Sequence, residues 1–312
     1  MTARDLRLTV AETRMLCPDV REIVFRDPRG ATLPSFPPGS HLAVRWAPGR
    51  RNAYSLTGQS LEPDRYAISV RLDPNGRGGS RWMHRLRVGE TVEASAPRSA
   101  FAPVAAARHH LLLAGGIGVT PILSHVRAAV RWGRSFEVLY AHRSGVAPHR
   151  AELVDLCGPR LTLATSRAVF RERLLSRLSS SPLGAHLYVC GPTGMVEDVT
   201  AAARAAGWPA GRVHVEAFGE PAVAGGAAFT ARLVRSGREV AVAADVSLLD
   251  ALCASGTAIP NLCRRGVCGE CRVGVRAGGV DHRDSYLTEE ERSVALMPCV
   301  SRAAAASLEL DL

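Results

Sequence analysis

The sequence predicts a multidomain chain: a small antiparallel β-barrel, then an α/β domain on a parallel sheet, then a compact β-rich domain wrapped around four cysteines. Three observations predict it. Short alternating strands divided by Gly and Pro fill residues 1–104, whereas strand and helix patterns alternate from about residue 108. Near the end, Cys263, Cys268 and Cys271 show C-x4-C-x2-C spacing, with Cys299 as a distant fourth. At 312 residues the chain has room for two or three separate cores.

The expected barrel strands are Leu6–Val10, Val20–Phe25, His41–Trp46, Tyr66–Arg71 and Thr91–Ala94, short runs in which apolar and polar residues alternate. The second domain, residues 105–218, begins with the apolar run His110–Ala114. A helix over Ile122–Trp132, a strand at Phe136–Ala141 and a polar helix near His149–Leu156 follow. Strands at Leu161–Ala164 and His186–Cys190 and a helix over Val196–Ala206 complete it. Residues 219–226, Gly-Glu-Pro-Ala-Val-Ala-Gly-Gly, have linker composition. In the last domain, residues 227–312, Phe229–Arg235 and Glu239–Val242 flank a Ser236-Gly237 turn and read as a hairpin. Asp245 or Ser247 can cap a short helix through Leu248–Leu252. A strand at Arg272–Val275, a helical turn at Thr288–Glu291 and a closing strand pair around Met297–Val300 and Ser307–Leu310 complete the reading.

Composition excludes several classes. The formal net charge is +10, yet the chain holds no lysine, so all 39 basic residues are arginine. Aromatics make up only 5% and no basic stripe stands out, which argues against nucleic-acid binding. No apolar run approaches the roughly 20 residues of a membrane span, and no secretory signal is visible; a cytoplasmic protein is expected. Cys17, Cys157, Cys190 and Cys253 are too scattered for a disulfide framework.

The four remaining cysteines carry the sharpest chemistry. Their spacing is that of plant-type 2Fe-2S ligands, and such a cluster carries one electron at a time. Gly266 and Gly269 let the backbone wrap around anionic sulfides. Zinc is the rival, but it prefers paired C-x2-C knuckles and only one such pair is present.

Upstream, Arg51-Asn52-Ala53-Tyr54-Ser55-Leu56-Thr57 ends one barrel strand, and Gly76-Arg77-Gly78-Gly79-Ser80 follows about twenty residues later. A flavin mononucleotide needs a cation and N–H groups for its phosphate, an aromatic neighbour and a hydrogen-bond partner at its reactive edge. Arg51 (or Arg50) and the Gly78, Gly79 and Ser80 backbone suit the phosphate, Tyr54 the ring face, and Ser55 the ring nitrogens. In Leu113-Ala114-Gly115-Gly116-Ile117-Gly118-Val119-Thr120-Pro121, a buried strand runs into a glycine turn and a helix start. Thr120 is read as N-cap and Pro121 as first helical residue, with the glycines admitting a dinucleotide. A second strand end, Cys190-Gly191-Pro192-Thr193-Gly194-Met195, reinforces that site.

Together these segments resemble the phthalate dioxygenase reductase family over nearly the whole chain. The resemblance implies a multidomain fold: an antiparallel β-barrel flavin domain, an α/β parallel-sheet nicotinamide domain and a C-terminal β-grasp domain like plant-type ferredoxins. It implies FMN as the flavin. One departure stands out: the family pattern is Arg-x-Tyr-Ser, whereas here two residues separate Arg51 from Tyr54. In related ferredoxin–NADP reductases the Cys190 position lies where nicotinamide meets flavin, Thr120 would contact the nicotinamide side, and Phe218 would be the aromatic near the flavin. Leu163-Ala164-Thr165-Ser166-Arg167 is similar to their 2′-phosphate stretch, and Arg143-Ser144 could serve ribose or phosphate; NADH and NADPH both stay open.

The implied activity is electron transfer from NADH or NADPH through FMN to a 2Fe-2S cluster. A flavin bridges the mismatch because it takes electrons in pairs and releases them singly. Ser55, Thr57 and Thr120 would hold the two rings, so that Ser55, Thr120 and Cys190 are the candidate catalytic residues and no acid–base group is needed. The expected partner is a terminal oxygenase protein, Rieske-type first, with a cytochrome P450 as the alternative and docking through Arg264-Arg265. No nucleic acid or membrane is implied, and the resemblance suggests a monomer. A flavin-containing redox sensor is the competing reading, and nicotinamide motifs count against it.

Overall fold

The computed structural model describes residues 5–99, 101–218, 225–261, 264–266, 269–284 and 286–312. It divides into two compact units, residues 1–46 with 53–219, and residues 47–52 with 220–312.

The chain opens with the strands β1 (Leu6–Cys17), β2 (Val20–Arg26), β3 (His41–Ala47), β4 (Arg50–Ser55) and β5 (Tyr66–Arg71), which belong to the first unit except at residues 47–52. The short helix α1 (Gly79–Arg85) and β6 (Thr91–Ala94) follow. Their sheet order is β4-β3-β6-β1-β2-β5, and an isolated bridge between Leu56 and Ile68 closes the two edges into a barrel. Strand β1 runs seven residues beyond the expected Val10. Its polar second half pairs with β2 as a hairpin, and register shifts at Val10/Glu12 and Met15/Cys17 let an irregular sequence stay in the ladder. Leu8, Val10, Ile23, Phe25, Leu42, Leu56 and Ile68 fill the interior.

The remainder of this unit alternates strand and helix: β7 (His109–Gly115), α2 (Val119–Arg131), β8 (Phe136–Ala141), α3 (Arg150–Cys157) and β9 (Leu161–Ala164). The helix α4 (Arg167–Ser180), β10 (Ala185–Pro192), α5 (Thr193–Ala205) and β11 (Val213–Phe218) complete it. All pairings are parallel, in the order β11-β10-β7-β8-β9. Every residue of β7 is buried, as a central strand covered on both faces requires. One face packs α2 and α3 through Val119, Ile122, Leu123, Val126 and Leu153; the other packs α4 and α5 through Phe170, Leu174, Val196 and Val199. Helix α4 is absent from the sequence reading. It buries only Phe170, Leu174 and Leu178, a single file at four-residue steps within an Arg- and Ser-rich segment.

The second unit carries β12 (Phe229–Leu233), β13 (Arg238–Val242), α6 (Leu248–Ala254), β14 (Val273–Ala277) and β15 (Val280–Asp281). Helix α7 (Glu289–Arg292), β16 (Ala295–Leu296), β17 (Arg302–Ala303) and β18 (Ser307–Leu310) follow. The main sheet runs β13-β12-β18-β14-β16, with β18 parallel to β12. Of the two expected caps for α6, Ser247 serves: its Oγ accepts the Asp250 amide at 3.0 Å. Thr288 and Glu291 form a capping box on α7. The expected strand at Met297–Val300 is a correction. Residues 298–300 form a turn and pairing stops at Leu296, so Cys299 sits on a turn. The linker expected at residues 219–226 falls mostly outside the described residues, as 219–224 are not among them.

Candidate active site and cluster loop

Strand order locates the first site. From β7 the chain moves outward to β8 and β9, then returns to β10 and β11 on the other side, so the order reverses between β7 and β10. In open parallel sheets, ligands bind at that crevice, beyond the carboxyl ends of the strands. Both glycine-containing turns singled out in the sequence, Gly115–Gly118 and Gly191–Gly194, lie there.

The geometry corrects the reason for those glycines. A Cβ on Gly118 would fall 2.2 Å from the Cys190 carbonyl oxygen, and one on Gly115 would fall 2.4 Å from Met195 Sδ and 3.0 Å from Pro192 Cδ. Gly191 in turn lies against Gly115. Three glycines thus let the two turns pack on each other. Gly116, at φ +55, and Gly194 have nothing within 4 Å of a would-be Cβ, so the backbone at these two positions is the part left open for a ligand. This fits a dinucleotide at the switch point.

Thr120 does not cap α2. A 3-10 turn over Gly116–Gly118 leads directly into the helix at Val119, which makes Thr120 its second residue; its hydroxyl donates to Ile117 O at 3.0 Å. Cys190 is fully buried, with its thiol 3.8 Å from Glu216 Oε2, its register partner on β11. Phe218 packs on the cluster containing Ala114, Val119 and Cys190, so this aromatic and this thiol do meet one core. Ser166 caps α4 by accepting the Val169 amide at 3.2 Å, which leaves its hydroxyl proton available; Arg167 and Arg143 are exposed.

On the barrel, Ser55 and Thr57 are buried and Tyr54 is half-buried. Leu56 is pure core. Thr57 is turned inward: its hydroxyl donates to Ala67 O at 3.1 Å, and its own carbonyl accepts Arg127 Nη1 at 2.6 Å. Gly78 takes φ 105, a left-handed turn that starts α1 with Gly79 buried behind it. The Ser80 hydroxyl is committed to Asp73, accepting its amide at 3.0 Å, so only the Ser80 backbone remains for a phosphate. Arg51 lies half-buried on β4.

In the second unit, Cys271 and Cys299 are buried, and the Gly266 amide donates to Cys299 Sγ at 3.3 Å. Cys263 and Cys268 lie outside the described residues. Gly266 (φ +69) and Gly269 (φ +77) both adopt left-handed conformations. A Cβ on Gly266 would meet Val300 at 2.6 Å and Asp284 at 2.8 Å; one on Gly269 would meet the Tyr286 ring at 2.2 Å. A backbone N–H aimed at a ligand sulfur suits an anionic cluster. The Asp284 side chain, against which Gly266 lies, holds the neighbouring turn by accepting the Tyr286 and Leu287 amides at 3.2 and 2.9 Å. Burial pushes its carboxyl up, but hydrogen bonds from Leu287, His282, Tyr286 and Ser301 outweigh that and hold it low. Arg264 is largely drawn in from the surface. Its side chain is only 18% exposed and is paired with Asp250 Oδ1 and Asn261 Oδ1.

The sequence reading missed the side chains that tie these elements together, among them Arg127, His149, Glu152 and Asp284. No local spacing links them; Ser69 and His149, 2.8 Å apart, are 80 residues apart in sequence. Among the described residues no helix is long and apolar enough to cross a membrane.

Comparison with known proteins agrees with this architecture. Residues 91–213 match the family described as dimethylamine monooxygenase subunit DmmA-like, N-terminal domain, and residues 232–304 match the 2Fe-2S iron-sulfur cluster binding domain. The heme-dependent oxidative N-demethylase beta subunit of Ectopseudomonas mendocina (strain ymp) is 43% identical over 311 residues, 98% of this chain and 99% of that one. The solved structure of phthalate dioxygenase reductase has a TM-score of 0.77 at 35% identity, covering 99% of this chain and 98% of the other. An intact type IV self-sufficient cytochrome P450 monooxygenase matches 99% of this chain with 41% of its own, at 31% identity and TM-score 0.75. The chain is accordingly an oxidoreductase that uses a flavin, a nicotinamide nucleotide and a 2Fe-2S cluster, the electron-transfer component of an oxygenase system. It belongs to the phthalate dioxygenase reductase family.

Proposed function

We propose that this chain takes electrons from NADH or NADPH through FMN and its cluster to a Rieske-type oxygenase on a separate polypeptide, acting as a cytoplasmic monomer. The observation that carries this reading is the switch-point crevice, open at Gly116 and Gly194, in the same chain as a cysteine loop whose backbone donates to Cys299 sulfur. In this reading residues 1–104 hold the flavin, 105–218 the nicotinamide nucleotide and 227–312 the cluster.

When bound, the three groups supply hydride donation, the two-to-one electron split and single-electron delivery. The protein's own residues supply place and dryness. The Gly78, Gly79 and Ser80 amides receive a phosphate, and Tyr54 and Ser55 face the flavin ring. Gly116 admits the nicotinamide nucleotide beside Thr120 and Pro192, while Cys190 and Phe218 back that position with a water-free wall. Ser166, its proton free to donate, and Arg167 receive a 2′-phosphate where one is present. Cys263, Cys268, Cys271 and Cys299 hold the iron.

A haem-iron oxygenase is the second reading of the partner. It is favoured by the 43% identity to the heme-dependent N-demethylase beta subunit and by the likeness to a self-sufficient cytochrome P450 monooxygenase. The test starts with purified protein assayed for flavin, iron and sulfide, and for NAD(P)H-dependent reduction of cytochrome c. Absence of flavin defeats the reductase reading, and almost no cytochrome c reduction by flavin-containing protein favours the sensor. Purified Rieske and haem oxygenases are then offered as acceptors; faster reduction of the haem protein replaces the first reading of the partner with the second.

A further inference from the structure

A polar circuit fastens the barrel to the nicotinamide sheet within the first unit. On α2, Arg127 donates through Nη1 to Thr57 O at 2.6 Å and through Nε to Glu152 Oε1 at 2.7 Å. Glu152, on α3, presents its other oxygen to His149 Nδ1 at 3.7 Å, and His149 Nε2 lies 2.8 Å from Ser69 Oγ on β5. Burial pushes the Glu152 carboxyl up, but the His149 hydrogen bond and the Arg127 guanidinium prevail and hold it at about 2. It is therefore anionic at any working pH. His149 takes the left-handed conformation (φ 59) to make its contact, unusual for a non-glycine residue and held here by neighbours on both sides.

Hydroxyl, imidazole and carboxylate in this order resemble a hydrolase relay. Burial argues otherwise: Ser69 is 6% exposed and the His149 side chain 1%, so no substrate reaches the hydroxyl. The circuit is mechanical. Its two ends, Thr57 and Ser69, sit on the neighbouring segments joined by the Leu56–Ile68 bridge that closes the barrel. One contact would let the barrel edge pivot against the helices. Two contacts converging on a single carboxylate remove that freedom.

The seam fastened this way begins at Ser55. Arg127 lies seven residues along α2 from Thr120, about 10 Å of the same helix. We propose that Arg127, held by Glu152 and backed by the His149–Ser69 strut, is a positioning residue for hydride transfer. It fixes the spacing between the flavin-facing segment Ser55–Thr57 and the start of α2. This rests on the reading that Ser55 and Thr120 flank the two rings.

The test uses the flavin-loaded full chain and the variants Arg127→Ala, Glu152→Gln and Ser69→Ala. Stopped-flow flavin reduction by NADH should slow about tenfold or more in Arg127→Ala, because small misplacements of reacting groups cost that much. Glu152→Gln and Ser69→Ala should fall between. Flavin affinity should stay within about twofold, while the long-wavelength charge-transfer absorbance of the nicotinamide–flavin complex weakens. In flavin-free protein, amide exchange at Thr57 should accelerate, a readout independent of turnover. Where Arg127→Ala does not fold, Glu152→Gln, which keeps the side-chain volume, decides on the same readouts. Variants that reduce flavin at the wild-type rate with unchanged charge-transfer absorbance overturn the positioning role. A wild-type protein whose bound flavin NADH does not reduce overturns the functional reading instead.

Discussion

The amino end of the nicotinamide sheet makes acid stability a sharp prediction. His110 on β7, His186 on β10 and His214 on β11 gather around Tyr188, with His125 of α2 4.9 Å from the same ring. Burial pushes His110 down to about 4, helped by His109, His186, Arg134 and His214 around it. Burial pushes His125 down to about 3 despite its hydrogen bond to Phe101 O. Neither Nδ1 has a hydrogen-bond partner among the described residues. The folded state therefore binds fewer protons than the unfolded chain, whose histidines titrate near 6.5. Stability is complete above that pH and is lost as pH falls from 6.5 towards 4 and 3. At pH 5 each group forfeits about 1.5 pH units at 1.36 kcal/mol, about 2 kcal/mol, so the pair costs about 4 kcal/mol. That is an upper figure, because water entering on local opening relieves part of the burial. Urea unfolding at pH 7.5 and pH 5.0, followed by fluorescence of Trp208 in the same domain, measures it. His110→Gln combined with His125→Gln should recover most of the difference. A wild-type loss under about 1 kcal/mol, or an equal loss in the double variant, refutes the argument.

Three further outcomes follow from single contacts. Gly118→Ala should lower the melting temperature and abolish nicotinamide-dependent flavin reduction, since the new Cβ lands 2.2 Å from a backbone oxygen, whereas Gly116→Ala meets no protein atom, should cost only about 1 kcal/mol of backbone strain and should act mainly by raising the KM for the nicotinamide nucleotide; comparing KM and melting temperature separates them. Arg302→Met in the second unit strips donors from Val246 O, Ala243 O and Ala227 O, and chemical denaturation should show a loss of about 3 kcal/mol, one per unsatisfied carbonyl. Arg167→Ala should lower kcat/KM for NADPH about tenfold, roughly 1.4 kcal/mol, and leave NADH unchanged; an unaltered preference ratio rejects a phosphate contact there.

What was legible in the sequence was whatever is local. Strand alternation, the glycine turns and the spacing of the first three cysteines are patterns spanning a few residues each, and apart from the strand expected at Met297–Val300 the strand and glycine patterns mark real elements. Ser247 was readable for the same reason, because a capping residue works on amides two or three positions ahead, whereas Thr288 was read only as part of a helical turn. What stayed hidden was tertiary. Nothing near Gly118 announces that Cys190 will press against it, and Thr120 looked like a cap because a 3-10 turn has no sequence mark distinct from a loop. The Arg264-Arg265 pair read as an open basic edge, although Asp250, fourteen residues earlier, draws Arg264 inward. Helix α4 escaped because three buried residues in fourteen leave little periodic signal.

The order of strands in the second unit sets a timetable for its manufacture. Strand β18, last in the sequence, is the middle of the sheet, parallel to β12 on one side and antiparallel to β14 on the other. As the ribosome extends the chain, β12–β13 and β14–β16 emerge as two half-sheets with raw inner edges and no shared neighbour. Cys271 stands just before β14 and Cys299 just after β16, so iron has no finished pocket to enter until that final staple slides between the halves. A chain cut between Val300 and Ser307 keeps all four cysteines but lacks the strand that joins β12 to β14, and it is expected to bind less iron than the full chain.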